Sequence, residues 1–160
     1  MGSNVGESEE TLRRAVAALG RFLEASAIAP LYRTEPLGAG EQDPYLNTAL
    51  VGHSRLAPDD LLAVGKALEY DAGRRRGPRF GPRPLDVDLL LYGDRVSEYA
   101  ELTIPHPRLR SRRFYLAPLA DIAAGMRVPP DGATVGELLE AVGRSQAVER
   151  IGWSAPIINR

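Results

Sequence analysis

Asp86 and Asp88 stand two residues apart in Pro84-Leu85-Asp86-Val87-Asp88-Leu89-Leu90-Leu91-Tyr92. In an extended strand, alternate side chains share a face, so both carboxylates emerge on one side, about 6 to 7 Å apart at the backbone. Two unpaired acids on a half-buried strand repel each other and are costly to desolvate. Something positive must therefore lie between them, either metal ions or arginine, and the spacing alone leaves both open.

Directly upstream, the eleven residues from Gly73 to Arg83 hold five arginines (Arg74, Arg75, Arg76, Arg79, Arg83) and five glycines or prolines. Such a loop is flexible, and its guanidinium groups suit bidentate capture of phosphate oxygens. A solvated basic loop, or one that touches nucleic acid, is the alternative. A carboxylate pair placed straight after an arginine loop is more specific than either feature alone. Metal plus arginine on a polyphosphate is the usual electrostatic apparatus of phosphoryl transfer. No P-loop signature is present, so the phosphates are not cradled in that way. Gly2-Ser3-Asn4 fits a tight strand-to-helix turn. His106, in Ile104-Pro105-His106-Pro107, is either a phosphate contact or a structural histidine, and His53 reads as structural.

Composition narrows the chemistry further. The chain has 160 residues, 44% hydrophobic and 26% charged, which predicts one globular domain over 1–160. Cysteine is absent and there are two histidines, so a metal here should be a hard cation held by carboxylates, magnesium or manganese. A net charge of −1 gives no general drive toward nucleic acid or an anionic membrane. With no signal peptide and no long apolar run, a cytoplasmic protein is expected.

The elements that must position these residues follow from periodicity. Leu12, Val16, Leu19 and Leu23 recur at helical spacing behind Ser8, predicting a helix over 9–24. Extended runs from Ser26 to Thr34 and from Leu46 to Gly52 can pair as a hairpin with a long connection. Pro58, followed by Asp59 and Asp60, opens a second helix that Gly73 stops. Pro84 to Tyr92 reads as a strand with Leu85, Val87, Leu89 and Leu91 on its buried face. A short helix is expected from Arg113 to Ile122. Thr134 and Glu137 form a capping box that starts a last helix through Val142. The order α, β, β, α, β, then mostly α, is that of an α+β domain.

Taken together, these motifs resemble the 6-hydroxymethyl-7,8-dihydropterin pyrophosphokinase family of folate biosynthesis. The resemblance rests on Gly2-Ser3-Asn4, Tyr32-Arg33-Thr34-Glu35-Pro36-Leu37-Gly38, Tyr45-Leu46-Asn47 and Glu69 to Arg74. It continues through Gly81-Pro82-Arg83-Pro84-Leu85-Asp86-Val87-Asp88 and Ile104-Pro105-His106-Pro107 to Arg112 and Phe114, and so spans residues 2 to about 120. It implies a ferredoxin-like α+β sandwich, an antiparallel sheet with helices packed on it. It also implies transfer of the β,γ-diphosphate of ATP to the hydroxymethyl group of the pterin, releasing AMP. Asp86 and Asp88 would then bind two Mg2+ ions, and Arg74 and Arg83 would act with them on the phosphates. Glu69, Arg76, Leu102, Thr103, His106 and Arg112 would complete the ATP site. Thr34, Leu37, Tyr45, Asn47, Phe80 and Phe114 would hold the pterin. Asp88 or Asp86 would assist loss of the hydroxyl proton. The partners expected are ATP and a pterin, with no nucleic acid, membrane or obligate protein partner.

Two positions depart from that family. It usually carries an apolar first strand ahead of Gly-Ser-Asn, where only Met1 stands here, so a truncated first strand and an exposed edge are expected. Phe80 lies where members of the family can carry tryptophan, keeping an aromatic face without the indole donor. The loop is still expected to close over the pterin. Steady-state rates then fall in Phe80→Ala, and equal activity would argue against any such lid. A nucleotidyltransferase also pairs Gly-Ser with Asp-x-Asp, but those elements lie close in sequence, whereas Ser3 and Asp86 are far apart. An RNA-binding module is disfavoured by the near-zero net charge.

Overall fold

The computed structural model describes residues 1–36, 42–75, 81–99, 101–144 and 146–153. Helix α1 (Ser8–Leu19) buries Leu12, Ala15, Val16 and Leu19, one stripe at helical spacing. It ends earlier than the expected 24. Leu23 N–H still bonds the Leu19 carbonyl at 3.0 Å, but Glu24 is already paired with His53 across a strand ladder, and that pairing ends the helix.

Both extended runs form and pair, each broken once. Strand β2 (Glu24–Ile28) pairs with β5 (Leu50–His53), and β3 (Tyr32–Thr34) pairs with β4 (Tyr45–Asn47). The break falls at Pro30, where Ala29 N–H bonds the Ala49 carbonyl at 2.8 Å and proline has no N–H to carry the ladder on. The β3–β4 hairpin is extended on both sides by β1 (Gly2–Ser3) and β10 (Val148–Arg150), giving an antiparallel sheet of order β1-β4-β3-β10.

Helix α2 (Pro58–Asp71) runs as expected, with proline at its start and Gly73 beyond its end at φ +92, a conformation glycine adopts without strain. A small hairpin follows, β6 (Ser97–Tyr99) with β7 (Leu102–Ile104). Helix α3 (Arg113–Ala123) is buried along Tyr115 to Leu119 and packs on β3, β4, β5 and β10. The ladder of β8 (Arg127–Val128) with β9 (Ala133–Thr134) then leads into α4 (Val135–Ala141), whose capping box between Thr134 and Glu137 is present in both directions.

Two apolar clusters hold the layers together. One centres on Leu109, Leu116, Leu119, Val128 and Val135 and joins α3 and α4 to the sheet. The other, built on Leu12, Ala15, Leu31 and Leu85, lies under α1. Fully burying each leucine contributes about 1.5 to 3 kcal/mol. Helices packed on antiparallel sheet give the α+β, ferredoxin-like arrangement expected.

Residues 84–92 differ from the expected strand. Among the described residues they make one bridge, Gly2 with Asp86, in which Gly2 N–H donates to the Asp86 carbonyl at 2.9 Å and Asp86 N–H returns the bond at 2.8 Å. The physical reason is where the backbone groups go: Val87 N–H donates to Glu69 Oε1 at 2.9 Å and the Leu90 carbonyl accepts from His106 N–H at 2.9 Å, single bonds that do not continue the ladder. The strict alternation fails with it, because Leu90 and Leu91 both pack on the first cluster. A cavity of about 560 Å³ remains between β5 and residues 87–92, lined by Leu19, Val51, Leu61, Leu89, Leu91 and Leu119.

Candidate active site

The N-terminal tripeptide does more than turn the chain. Gly2 pairs with Asp86 through its backbone, while Asn4 N–H donates to the Arg83 carbonyl at 3.0 Å and Asn4 Oδ1 accepts from Arg83 N–H at 2.8 Å. Both ends of the segment 83–86 are therefore fastened to one short stretch. Asn4, itself buried, also donates to the Asp43 carbonyl at 3.0 Å. A Cβ at Gly2 would stand 2.6 Å from Asn47 Oδ1, so a larger residue there must displace the Asn47 side chain.

On this frame the charges alternate. Arg74 lies 2.5 Å from Asp86 Oδ1 and 2.7 Å from Glu69 Oε1, and Arg83 Nη1 donates to Asp86 Oδ2 at 2.8 Å. Glu69 is buried on α2 and its Oε1 also accepts from Lys66 Nζ and from Val87 N–H, both at 2.9 Å. It thereby holds Arg74 and the acidic segment together. Burial pushes the Asp86 carboxyl up, but Arg83 and Arg74 outweigh burial and hold it below the ordinary value.

A stability prediction follows from that sign. A depressed folded value means the contribution of Asp86 is complete above its unfolded value of 3.8 and is lost as pH falls through the lower folded one. The difference in urea stability between wild type and Asp86→Asn should be constant from neutral pH down to about 4 and shrink below that. A difference that stays constant in acid would contradict the ion-pair assignment.

Asp88 is held differently. Its Oδ2 accepts from the Tyr115 hydroxyl at 2.7 Å, and its Oδ1 stands 4.0 Å from His106 Nε2. His106 is lowered from its ordinary value, chiefly by burial and further by Arg112 and Arg108, with Asp88 opposing. A neutral ring whose Nδ1 accepts from Arg108 N–H at 3.2 Å carries its proton on Nε2 and so presents a donor. Arg112 lies 5.2 Å over the Phe114 ring.

Two cavities meet at Arg83. The first, of about 280 Å³, is lined by Thr34, Tyr45 and Asn47, by Asp86 and Asp88, and by His106, Arg112, Phe114 and Tyr115. Its polar groups are fixed, since Asn47 Nδ2 donates to Thr34 Oγ1 at 2.8 Å and the Tyr45 hydroxyl to the Gly81 carbonyl at 3.0 Å. The second, about 800 Å³ and open, is lined by Lys66, Glu69, Arg74, Arg75 and Arg83. One cavity pairs aromatic walls with amide and hydroxyl groups, and the other is basic. A flat heterocycle suits the first and a polyphosphate the second.

Of the residues expected from sequence, Thr34, Tyr45, Asn47, Arg83, Asp86, Asp88, His106, Arg112 and Phe114 come together in the first cavity. Glu69 and Arg74 join Arg83 in the second. Leu102 and Thr103 lie on β7 and line neither, Leu102 being buried. Leu37, Arg76 and Phe80 lie outside the described residues. Tyr115 was missed, because a lone tyrosine in an apolar helix reads as core. Among the described residues no three histidine or carboxylate side chains cluster into a closed metal cage. Two carboxylates in one cavity still fit Mg2+, which is usually held by one or two of them with phosphate and water completing its shell.

Two carboxylates, one of them held by arginines, beside an aromatic cleft and a basic cavity are chemically suited to phosphoryl or diphosphoryl transfer. Residues 1–124 match the family model described as 7,8-dihydro-6-hydroxymethylpterin-pyrophosphokinase, and the chain belongs to that family. It is similar to the 2-amino-4-hydroxy-6-hydroxymethyldihydropteridine pyrophosphokinases of Pseudomonas aeruginosa and Synechocystis. Identity to the first is 41% over 143 residues, covering 88% of each chain. Identity to the second is 40% over 144 residues, covering 89% of this chain and 73% of the relative. It is also similar to a mitochondrial folate synthesis bifunctional protein of Arabidopsis thaliana, 40% identical over 162 residues, or 98% of this chain and 29% of that one.

Proposed function

We propose that this enzyme binds ATP and a 6-hydroxymethyl-7,8-dihydropterin in the two adjoining cavities and transfers the β,γ-diphosphate, releasing AMP and the pterin diphosphate ester. Membership of the pyrophosphokinase family gives the reaction. The observation that carries the site assignment is Arg83, which lines both cavities and pairs with Asp86 in the first.

In this reading Arg74, Arg83 and Arg112 hold phosphate oxygens, with Arg76, His106 and Glu69 completing the ATP site. The guanidinium groups resting on Asp86 exchange that carboxylate for phosphate, which frees Asp86 to turn toward a cation. His106, neutral and with a proton on Nε2, donates rather than accepts. Thr34 and Asn47 read the pterin edge, and Leu37, Tyr45, Phe80 and Phe114 enclose its faces.

Asp86 and Asp88 would hold the Mg2+, two ions in the full proposal. The chemistry Mg2+ supplies when bound is neutralisation of charge along the triphosphate. Asp88 or Asp86 would assist loss of the hydroxyl proton. Alignment and charge neutralisation then account for the rate without a covalent nucleophile. Among the described residues no helix is long and apolar enough to cross a membrane. The proposal includes action in the cytoplasm, where ATP and Mg2+ are both supplied.

Incubation with ATP, Mg2+ and the hydroxymethyl dihydropterin, followed by chromatography, tests the reaction. AMP in equal amount to the pterin diphosphate is expected, and ADP would overturn the reaction type.

A further inference from the structure

Tyr115 has no role in the assignments above, yet it touches four of the site residues. Its hydroxyl donates to Asp88 Oδ2 at 2.7 Å. Its ring meets His106 edge-on at 5.1 Å between centroids and Phe114 at 4.6 Å, while the Arg112 guanidinium stands 5.8 Å over it. The residue is 8% exposed and sits in the first turn of α3, where its N–H bonds the Arg112 carbonyl at 3.1 Å. The phenol therefore has little freedom to swing away.

The two acids of the site are oriented by opposite means. Asp86 is gripped by two charged guanidinium groups. For the Asp88 carboxylate, the Tyr115 hydroxyl is the one hydrogen-bond donor among the described residues. A neutral donor on one oxygen fixes the rotation of a carboxylate without cancelling its charge.

The geometry points to Tyr115 as a positioning residue that engages Asp88 Oδ2 and so leaves Oδ1 alone to face a cation, favouring small Mg2+ over larger Ca2+. The reason lies in coordination. Mg2+ takes single oxygens in a strict octahedron, whereas Ca2+ accepts both oxygens of one carboxylate in a looser shell. With Oδ2 engaged by the phenol, Asp88 offers one oxygen, and without the hydroxyl it can turn to offer two. This inference rests on the reading of Asp88 as a Mg2+ ligand.

The test is titration calorimetry of Mg2+ and of Ca2+ into enzyme saturated with a non-hydrolysable ATP analogue, for wild type, Tyr115→Phe and Asp88→Asn. Removing an outer partner of a metal ligand typically weakens metal binding or activity by about 10- to 100-fold. In Tyr115→Phe the Mg2+ dissociation constant should rise about tenfold, while Ca2+ binds as tightly as before or tighter. The kcat with Mg2+ should fall in step with the KM for the pterin unchanged, because the ring stays in place. A wild-type ratio of Mg2+ to Ca2+ affinity in Tyr115→Phe would overturn the inference while leaving Asp88 as a ligand. Undiminished Mg2+ binding in Asp88→Asn would overturn the metal reading itself, and the inference with it. Tyr115→Met, which also lacks the hydroxyl, repeats the comparison if the phenylalanine variant melts early, and the same shift in ratio is required of it.

Discussion

Replacing Asp88 with alanine lowers diphosphate transfer by about a thousandfold or more and removes the part of ATP binding that depends on Mg2+. A preorganised electrostatic group at a site of developing charge is commonly worth about 10² to 10³ in rate, and a metal ligand acts on several such charges at once. The variant leaves Arg74, Arg83 and Arg112 in place, so the cavity becomes more positive and metal-free ATP should bind at least as well as before. That split separates a lost ligand from a damaged fold. Equilibrium binding of ATP with and without Mg2+ measures it. A variant that kept both turnover and the Mg2+-dependent gain would remove Asp88 from the account.

Arg83→Ala is expected to cost about 10² to 10³ in kcat/KM with a thermal midpoint close to wild type. The backbone of residue 83 is held by Asn4 through two bonds that the substitution leaves intact, so the segment carrying Asp86 should not drift. What goes is the one side chain among the described residues common to the basic and aromatic cavities, together with a 2.8 Å contact to Asp86. Arg83→Lys should recover only part of the rate, because a point-like ammonium cannot reproduce a planar fork on carboxylate or phosphate. Steady-state kinetics and a melting curve on the same preparations decide this. Wild-type activity in the alanine variant would contradict the shared role.

The sequence reveals those features of the site that depend on short spacing. Asp86 and Asp88, two residues apart, and the arginines of the preceding loop are visible because adjacency along the chain brings them together. Periodicity likewise finds α2, α3 and the capping box of Thr134 with Glu137. What it does not reveal depends on distant partners. Gly2 against Asp86 and Asn4 against Arg83 join residues about eighty positions apart, and nothing local to Gly-Ser-Asn announces them. Strand β10 is three residues, Val-Glu-Arg, too short and too polar to show alternation. Residues 84–92 carry a strand pattern that is not realised as a ladder, because their backbone groups bond singly to Gly2, the Glu69 side chain and His106 and not to one continuous strand. Glu69 reads as one more acid on a helix, and only the fold buries it among Lys66, Arg74 and the Val87 amide.

Asp86 and Asp88 matter to this account because they are placed to handle a diphosphate moved as a unit, and the fate of the β-phosphorus reports that most directly. With ATP labelled at the β position, and the hydroxymethyl dihydropterin and Mg2+ supplied, all of the transferred label should appear in the pterin ester and none in the nucleotide product. Label that stays with the nucleotide, as in transfer of the γ-phosphoryl group alone, would contradict the account.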